Sequence, residues 1–202
     1  TCSGIYRILK KIGLYFGSFN PIHVGHLIIA DYFSQQNLFD EVWLVVSPHN
    51  PLKDPSDLAS VDHRLEMARI ATADHSALKV CDIETRLPSP SFTVNTMKAL
   101  QEQYPEVQWS VIIGEDSLVH FDKWKDYQWL METFSFFVFP RVLSDEERDI
   151  IKAKNFPVQM VNAPLIEVSS TSIRQKLRSG TSIKNLVTNV VENYLSQHQL
   201  YH

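Results

Sequence analysis

Ile12-Gly13-Leu14-Tyr15-Phe16-Gly17-Ser18-Phe19-Asn20-Pro21-Ile22-His23-Val24-Gly25-His26 runs from an apolar strand pattern, through small and turn-forming residues, into two histidines. A helical pattern, Leu27-Ile28-Ile29-Ala30-Asp31-Tyr32-Phe33, follows at once. A strand turning directly into a helix is the unit from which α/β sheets are built. The same junction predicts a phosphate site. The first N–H groups of a helix lack intrahelical partners, and its dipole is positive there. Gly17 and Gly25 let backbone approach a ligand where a Cβ would obstruct it. His23 and His26 add donors that can follow a phosphate as its charge redistributes. The spacing is neither the three-glycine dinucleotide fingerprint nor the loop that ends in Gly-Lys-Ser/Thr. His-x-x-His can also be a fragment of a metal site, but a structural site takes four ligands. Cys2 and Cys81 show no ligand spacing, so no metal-binding residue is expected.

Working outward, short apolar runs alternate with helical patterns. The predicted strands are Lys11–Phe16, Val42–Ser47, Leu78–Ile83, Trp109–Gly114, Phe134–Phe139 and Val158–Val161. The predicted helices are Val24–Gln36, Val61–Thr72, Phe92–Tyr104, a segment around Trp129–Met131, Ser144–Ala153, Ser170–Ser179 and Ile183–Ser196. Several strands are almost continuously apolar, notably around Val111-Ile112-Ile113, which suits a parallel sheet covered on both faces. The alternation predicts an α/β fold with a doubly wound, mainly parallel sheet and C-terminal helices. Ligands in such sheets bind beyond the carboxyl ends of the strands, near the point where strand order reverses.

Composition narrows the function. With 202 residues and 44% apolar content the chain can bury a full core, and one domain is the simplest expectation. A formal charge of −4 argues against a protein that coats nucleic acid or anionic lipid, but leaves room for a small anionic substrate. No apolar stretch is long enough to span a bilayer. Two cysteines far apart suggest a reducing compartment, and a cytoplasmic location is the expectation. Residues 1–10 are set aside as an N-terminal extension, leaving 11–202 as the folded unit.

Four further clusters follow strands or open helices. After the second strand come Pro48-His49-Asn50-Pro51-Leu52-Lys53 and then His63-Arg64-Leu65-Glu66-Met67. Lys53 sits on a proline-stiffened loop; Arg64 suits an ion pair as well as a ligand. After the third strand, Ser89-Pro90-Ser91-Phe92-Thr93 opens a helix, where hydroxyls ordinarily act as caps. After the fourth come Gly114-Glu115-Asp116 and Phe121-Asp122-Lys123-Trp124. A carboxylate at such a strand end commonly accepts hydrogen bonds from ribose hydroxyls. Trp124, ringed by charged residues, is expected to be partly exposed, whereas Trp43, Trp109 and Trp129 are expected in the core. Near the end, Val168-Ser169-Ser170-Thr171-Ser172-Ile173-Arg174 sets hydroxyls and an arginine on the first turn of a helix, a second anion site.

These motifs resemble the (H/T)xGH nucleotidyltransferases, and the middle clusters resemble the nicotinate mononucleotide adenylyltransferase branch. The resemblance covers nearly all the chain after the first ten residues. It implies a Rossmann-like single domain over 11–202 that transfers AMP from ATP to nicotinate mononucleotide and releases pyrophosphate, a step of NAD biosynthesis. It implies phosphate and transition-state contacts for His23, His26, Lys53 and Arg174. Gly17, Ser18, Phe19, Gly25, Gly114, Asp116, Ser170 and Thr171 would bind ATP. Ser91, Phe92, Thr93 and Trp124 would hold the pyridine nucleotide, and Mg²⁺ would be carried with ATP. The chain departs from the family pattern at Ser89, Phe92 and Asn95, where glycine, tyrosine and aspartate are usual. Phe139-Pro140-Arg141 stands where relatives carry Arg-Pro-Gly, and Arg141 receives no role. Phosphopantetheine adenylyltransferase, a preference for nicotinamide mononucleotide, and a nucleotide-binding regulator without turnover are the alternatives. A homo-oligomer remains open.

Overall fold

The computed structural model describes residues 9–49 and 57–201. Its strands are β1 (Lys10–Gly17), β2 (Glu41–Val46), β3 (Leu78–Cys81), β4 (Val107–Gly114), β5 (Ser135–Phe139) and β6 (Gln159–Met160). They form one sheet in the order β3-β2-β1-β4-β5-β6, with every pairing parallel. The helices are α1 (Val24–Gln35), α2 (Val61–Thr72), α3 (Thr93–Gln103), α4 (Tyr127–Thr133), α5 (Asp145–Lys154), α6 (Ser170–Arg178) and α7 (Asn189–Gln197). This is the doubly wound, Rossmann-like arrangement, and its strand order reverses between β1 and β4.

The near-continuous apolar character of the strands follows from burial on both faces. Side chains alternate across a strand, so each strand feeds two cores. Ile12, Leu14, Val45, Val111, Ile113 and Val138 face one core, shared with Met97 and Leu100 of α3 and Leu130 of α4. Tyr15, Leu44, Val46, Ile112 and Phe137 face the other, shared with Ile29 and Phe33 of α1, Met67 of α2 and Leu195 of α7. Trp109 is buried as expected, while Trp43 and Trp129 are only half-buried at the edge of the first core.

Most element ends fall within one or two residues of expectation, and two shifts have a visible cause. The third strand ends at Cys81, because Ile83–Arg86 winds into a 3-10 turn that buries Ile83 and Glu84. The last helix starts at Asn189 rather than at Ile183. Ile183 and Val187 are buried as expected of a helix face, but the chain between them turns through Asn185 at φ 66°. Leu186 is thereby placed so that its carbonyl accepts the Val24 N–H at 3.0 Å, against the start of α1. A local helical pattern gives way here to a tertiary contact. The stretch Glu115–Lys123 after β4 forms 3-10 turns that carry Trp124 to the sheet's carboxyl edge.

Candidate active site

Beyond the carboxyl ends of β1 and β4 lies a cavity of about 530 Å³. It gathers residues from the first and last motifs, including Gly17, Ser18, Phe19, His23, Gly25, His26, Ser170, Thr171 and Arg174, with Gly114, Asp116 and Arg141 on the far wall. A smaller cavity of about 240 Å³ adjoins it, lined by Ser91, Phe92, Thr93, Lys123, Trp124 and Lys125. Gly17, Gly114 and Asp116 line both. Of the site residues expected from sequence, only Lys53 lies outside the described residues.

The histidines are held as a pair. His23 takes the extended N-cap position of α1, and its ring stacks on that of His26 at 3.7 Å between centroids. The Phe19 ring meets His26 edge-on at 4.9 Å. His26 Nδ1 accepts the His23 backbone N–H at 3.2 Å, so the neutral His26 ring carries its proton on Nε2. Burial, with Arg141 nearby, pushes the His23 pKa down to about 4, which makes its ring neutral at physiological pH. Gly25 is required by packing: a Cβ there would stand 2.6 Å from Ile166 Cγ2 and 3.0 Å from His23 Nδ1. Its room is taken by the protein's own side chains rather than by open approach to a ligand. The N-terminus of α1 is also less free than the sequence implies, since the Val24 N–H is already bonded to Leu186.

The first residue of this loop, Ser18, owes its position to Arg64 of α2. Arg64 is 1% exposed and donates to Ser18 O and Ser47 O at 2.7 Å each, to Pro48 O at 2.9 Å and to Ala59 O at 3.0 Å. Among the described residues it joins no ion pair, and it lines neither cavity. Three of these four bonds clamp the ends of β1 and β2 together, and the fourth ties them to the start of α2. Burial lowers its pKa.

At the start of α6, Ser169 is the N-cap, its Oγ accepting the Ser172 N–H at 3.2 Å. Ser170 Oγ donates to Pro21 O at 3.0 Å, and Arg174 Nη1 donates to Asn20 O at 2.9 Å. Asp57 lies 3.7 Å from Arg174 Nη2. Ser18 Oγ and Arg174 Nε are buried with no hydrogen-bond partner among the described residues. His23 Nδ1 is a third such atom, and since buried polar atoms are normally satisfied, three orphans in residues that line one cavity point to a polar ligand.

Asp116 folds back over Gly114, where a Cβ would meet Asp116 Oδ1 at 2.5 Å. Arg141 Nε stands 3.7 Å from Asp116 Oδ1, and Arg141 Nη1 donates to Ile166 O at 3.3 Å. Arg141, given no role by motif, is a cavity cation; its place just past the end of β5 was the available signal. In the smaller cavity Trp124 is half-buried and packs on Phe121 at 4.7 Å. Phe92 is the N-cap of α3 and offers no side-chain cap, so neither Ser91 nor Thr93 serves as that cap. Beneath them lies Glu84, 3% exposed, accepting from Thr96 Oγ1 at 2.7 Å. Burial raises its pKa, opposed by the hydroxyls of Thr96, Ser47 and Ser91.

Comparison with known proteins agrees with this geometry. The Cytidylyltransferase-like family matches residues 14–176. A protein of Flavobacterium johnsoniae described as a probable nicotinate-nucleotide adenylyltransferase is 42% identical over 191 residues, covering 95% of this chain and 98% of its own. One of Salinibacter ruber with the same description is 37% identical, covering 94% and 97%. Among solved structures, Plasmodium falciparum nicotinic acid mononucleotide adenylyltransferase complexed with NaAD superposes with a TM-score of 0.78 at 22% identity, over 95% of this chain and 97% of that one. At that identity the likeness concerns the fold. The chain thus belongs to the Cytidylyltransferase-like family, in the branch of the nicotinate-nucleotide adenylyltransferases.

Proposed function

We propose that this protein transfers the adenylyl group of ATP to nicotinate mononucleotide, yielding nicotinate adenine dinucleotide and pyrophosphate. The observation that carries the reading is the pair of adjoining cavities at the β1/β4 switch point. The larger holds two histidines, two helix N-termini and Arg174; the smaller holds Trp124 and the Ser91–Thr93 segment. The first suits a triphosphate, the second a flat ring, and the Asp116 carboxylate between them suits ribose hydroxyls. Relatives described as nicotinate-nucleotide adenylyltransferases support the choice of acceptor.

The acceptor phosphate is a nucleophile already, since its second pKa is near 6 and it is largely dianionic at neutral pH. One of its oxygens bonds to the α-phosphorus of ATP while the bond to the β-phosphate oxygen breaks, and pyrophosphate leaves with that electron pair. No proton needs to be removed, which fits a His23 held neutral by burial. The work is alignment and charge stabilisation. His26 offers Nε2–H, and Ser18, Thr171 and Arg174 offer donors to the phosphates; Lys53 has the same proposed task. Gly17, Phe19 and Gly25 contribute backbone, for the Phe19 ring is buried. Ser170 already gives its hydroxyl proton to Pro21, which leaves its oxygen and backbone for the nucleotide.

ATP-dependent nucleotidyl transfer normally involves a divalent metal. We read it as Mg²⁺ borne by ATP: among the described residues no three His, Cys, Asp or Glu side chains are grouped to hold an ion, so the donors fit a metal held by the triphosphate. No helix of the described residues is long and apolar enough to cross a membrane, and a cytoplasmic enzyme acting on small molecules rather than nucleic acid is the proposed setting.

The test is pyrophosphate release with MgATP and each of nicotinate mononucleotide, nicotinamide mononucleotide and phosphopantetheine. Preference for the first supports the reading. Release with phosphopantetheine alone would remove the pyridine assignment, and release with none would favour a regulator that binds without turnover.

A further inference from the structure

Lys123 and Lys125 both line the smaller cavity, one on each side of Trp124 in the chain. Neither forms an ion pair among the described residues. Asp122, the acid next to Lys123, is engaged instead by Lys154 at 2.6 Å. Asp116 is the acid in the lining, and it stands 3.7 Å from Arg141 at the side shared with the larger cavity. The far side of the smaller cavity is therefore cationic. Lys125 Nζ lies 5.0 Å over the Phe92 ring, which fixes the ammonium at the rim next to Ser91 and Thr93.

The geometry of the acceptor does the rest. Its phosphate must reach the larger cavity to meet the triphosphate. In that reading the pyridine ring lies in the smaller cavity beside Trp124, so its substituent shares the cavity that Lys125 also lines. We propose that Lys125 is a specificity-determining residue: its ammonium pairs with the carboxylate on the acceptor ring and sets the preference for the acid over the amide. The proposal rests on the adenylyl-transfer reading above. It assigns Lys125 work that an exposed surface lysine would not have. The amide isostere cannot form the ion pair, whereas ring stacking on Trp124 is indifferent to the substituent.

The experiment compares kcat/KM for nicotinate and nicotinamide mononucleotide in the wild type, K125M, K125R and K98M. Methionine keeps an apolar stem over Phe92 while removing the charge. Lys98, which lies 5.0 Å over the Trp129 ring and outside both cavities, controls for loss of any exposed lysine stacked on an aromatic ring. K125M is expected to lower the acid-to-amide ratio by about tenfold, the scale of one charge-assisted contact, mainly through KM for the acid. K125R should restore most of it, and K98M should leave the ratio as in the wild type. A K125M ratio within about twofold of an active wild type would overturn the role of Lys125 alone. A wild type that releases pyrophosphate with neither mononucleotide would overturn the adenylyl-transfer reading, and this inference with it.

Discussion

Arg174 on α6 donates through Nη1 to the backbone carbonyl of Asn20 at 2.9 Å, joining residues 154 positions apart. One guanidinium thus locks the loop after β1 and still keeps a buried Nε with no hydrogen-bond partner among the described residues. The arrangement has Arg174 hold Asn20, and the proposed function adds a second task, meeting phosphate. R174A should raise KM for ATP and lower kcat/KM by about 10- to 100-fold, the loss of one or two charge-assisted hydrogen bonds. R174K should recover little, because an ammonium cannot reach both partners in the same fork. Steady-state kinetics with ATP varied distinguish these outcomes.

Arg64 makes a different prediction, on stability. R64M leaves four buried or half-buried carbonyls without their donor, at the ends of β1 and β2 and near the start of α2. The expected loss is at least about 3 kcal/mol, since each orphaned acceptor carries its own desolvation cost. In a chain of this size that corresponds to a fall in Tm of roughly 10 °C. Thermal unfolding by calorimetry measures it directly.

His23 couples folding to acid. Its pKa is about 4 in the folded chain, against 6.5 for a free imidazole. The unfolded chain therefore takes up a proton first as pH falls. Its contribution to stability is whole above pH 6.5 and is lost as pH drops through the window toward 4, by about 3 kcal/mol in total. H23N, with no group titrating there, should show a shallower loss between pH 7 and pH 4.5 in denaturant titrations.

Glu84 has the opposite sign. Burial raises its pKa, so the folded state favours the protonated carboxyl. That contribution is present below the carboxyl's unfolded pKa and disappears as pH rises through the folded one. E84Q keeps an acceptor for Thr96 without a buried charge. It should match the wild type at acidic pH and equal or exceed it in stability at pH 8, whereas E84A, which leaves Thr96 Oγ1 without its carboxyl partner, should be less stable at both. Urea midpoints at the two pH values read this out.

The sheet was legible because its information is local. Apolar runs such as Val111-Ile112-Ile113 and the helical spacing after His23 carry their own periodicity, and the motifs follow the strand ends that the fold turns into a site. The tertiary clamps were not. Arg64 reads as an ion-pairing or ligand-binding arginine, but its partners are backbone carbonyls, which leave no mark in a sequence. The segment 183–188 reads as helix because Ile183 and Val187 are spaced for one face, whereas Leu186 is drawn into a bond with Val24. The sequence does not single out Ser169 as the cap of α6, because four hydroxyl residues, Ser169 to Ser172, stand in a row and their patterns are alike. Lys123 and Lys125 read as a charged surround for Trp124; the task proposed for Lys125 comes from its place in a cavity whose one acid among the described residues stands beside Arg141.

In the proposed function His26, stacked on His23 at the switch point, serves adenylyl transfer to nicotinate mononucleotide. The most direct measurement is formation of nicotinate adenine dinucleotide and pyrophosphate from MgATP and nicotinate mononucleotide by the wild type and by H26A, assayed side by side. The expected result is one pyrophosphate per dinucleotide from the wild type and a rate at least about 100-fold lower from H26A, the scale of one lost transition-state donor. Equal rates from the two proteins, or no dinucleotide from a folded wild type that binds ATP, would contradict it.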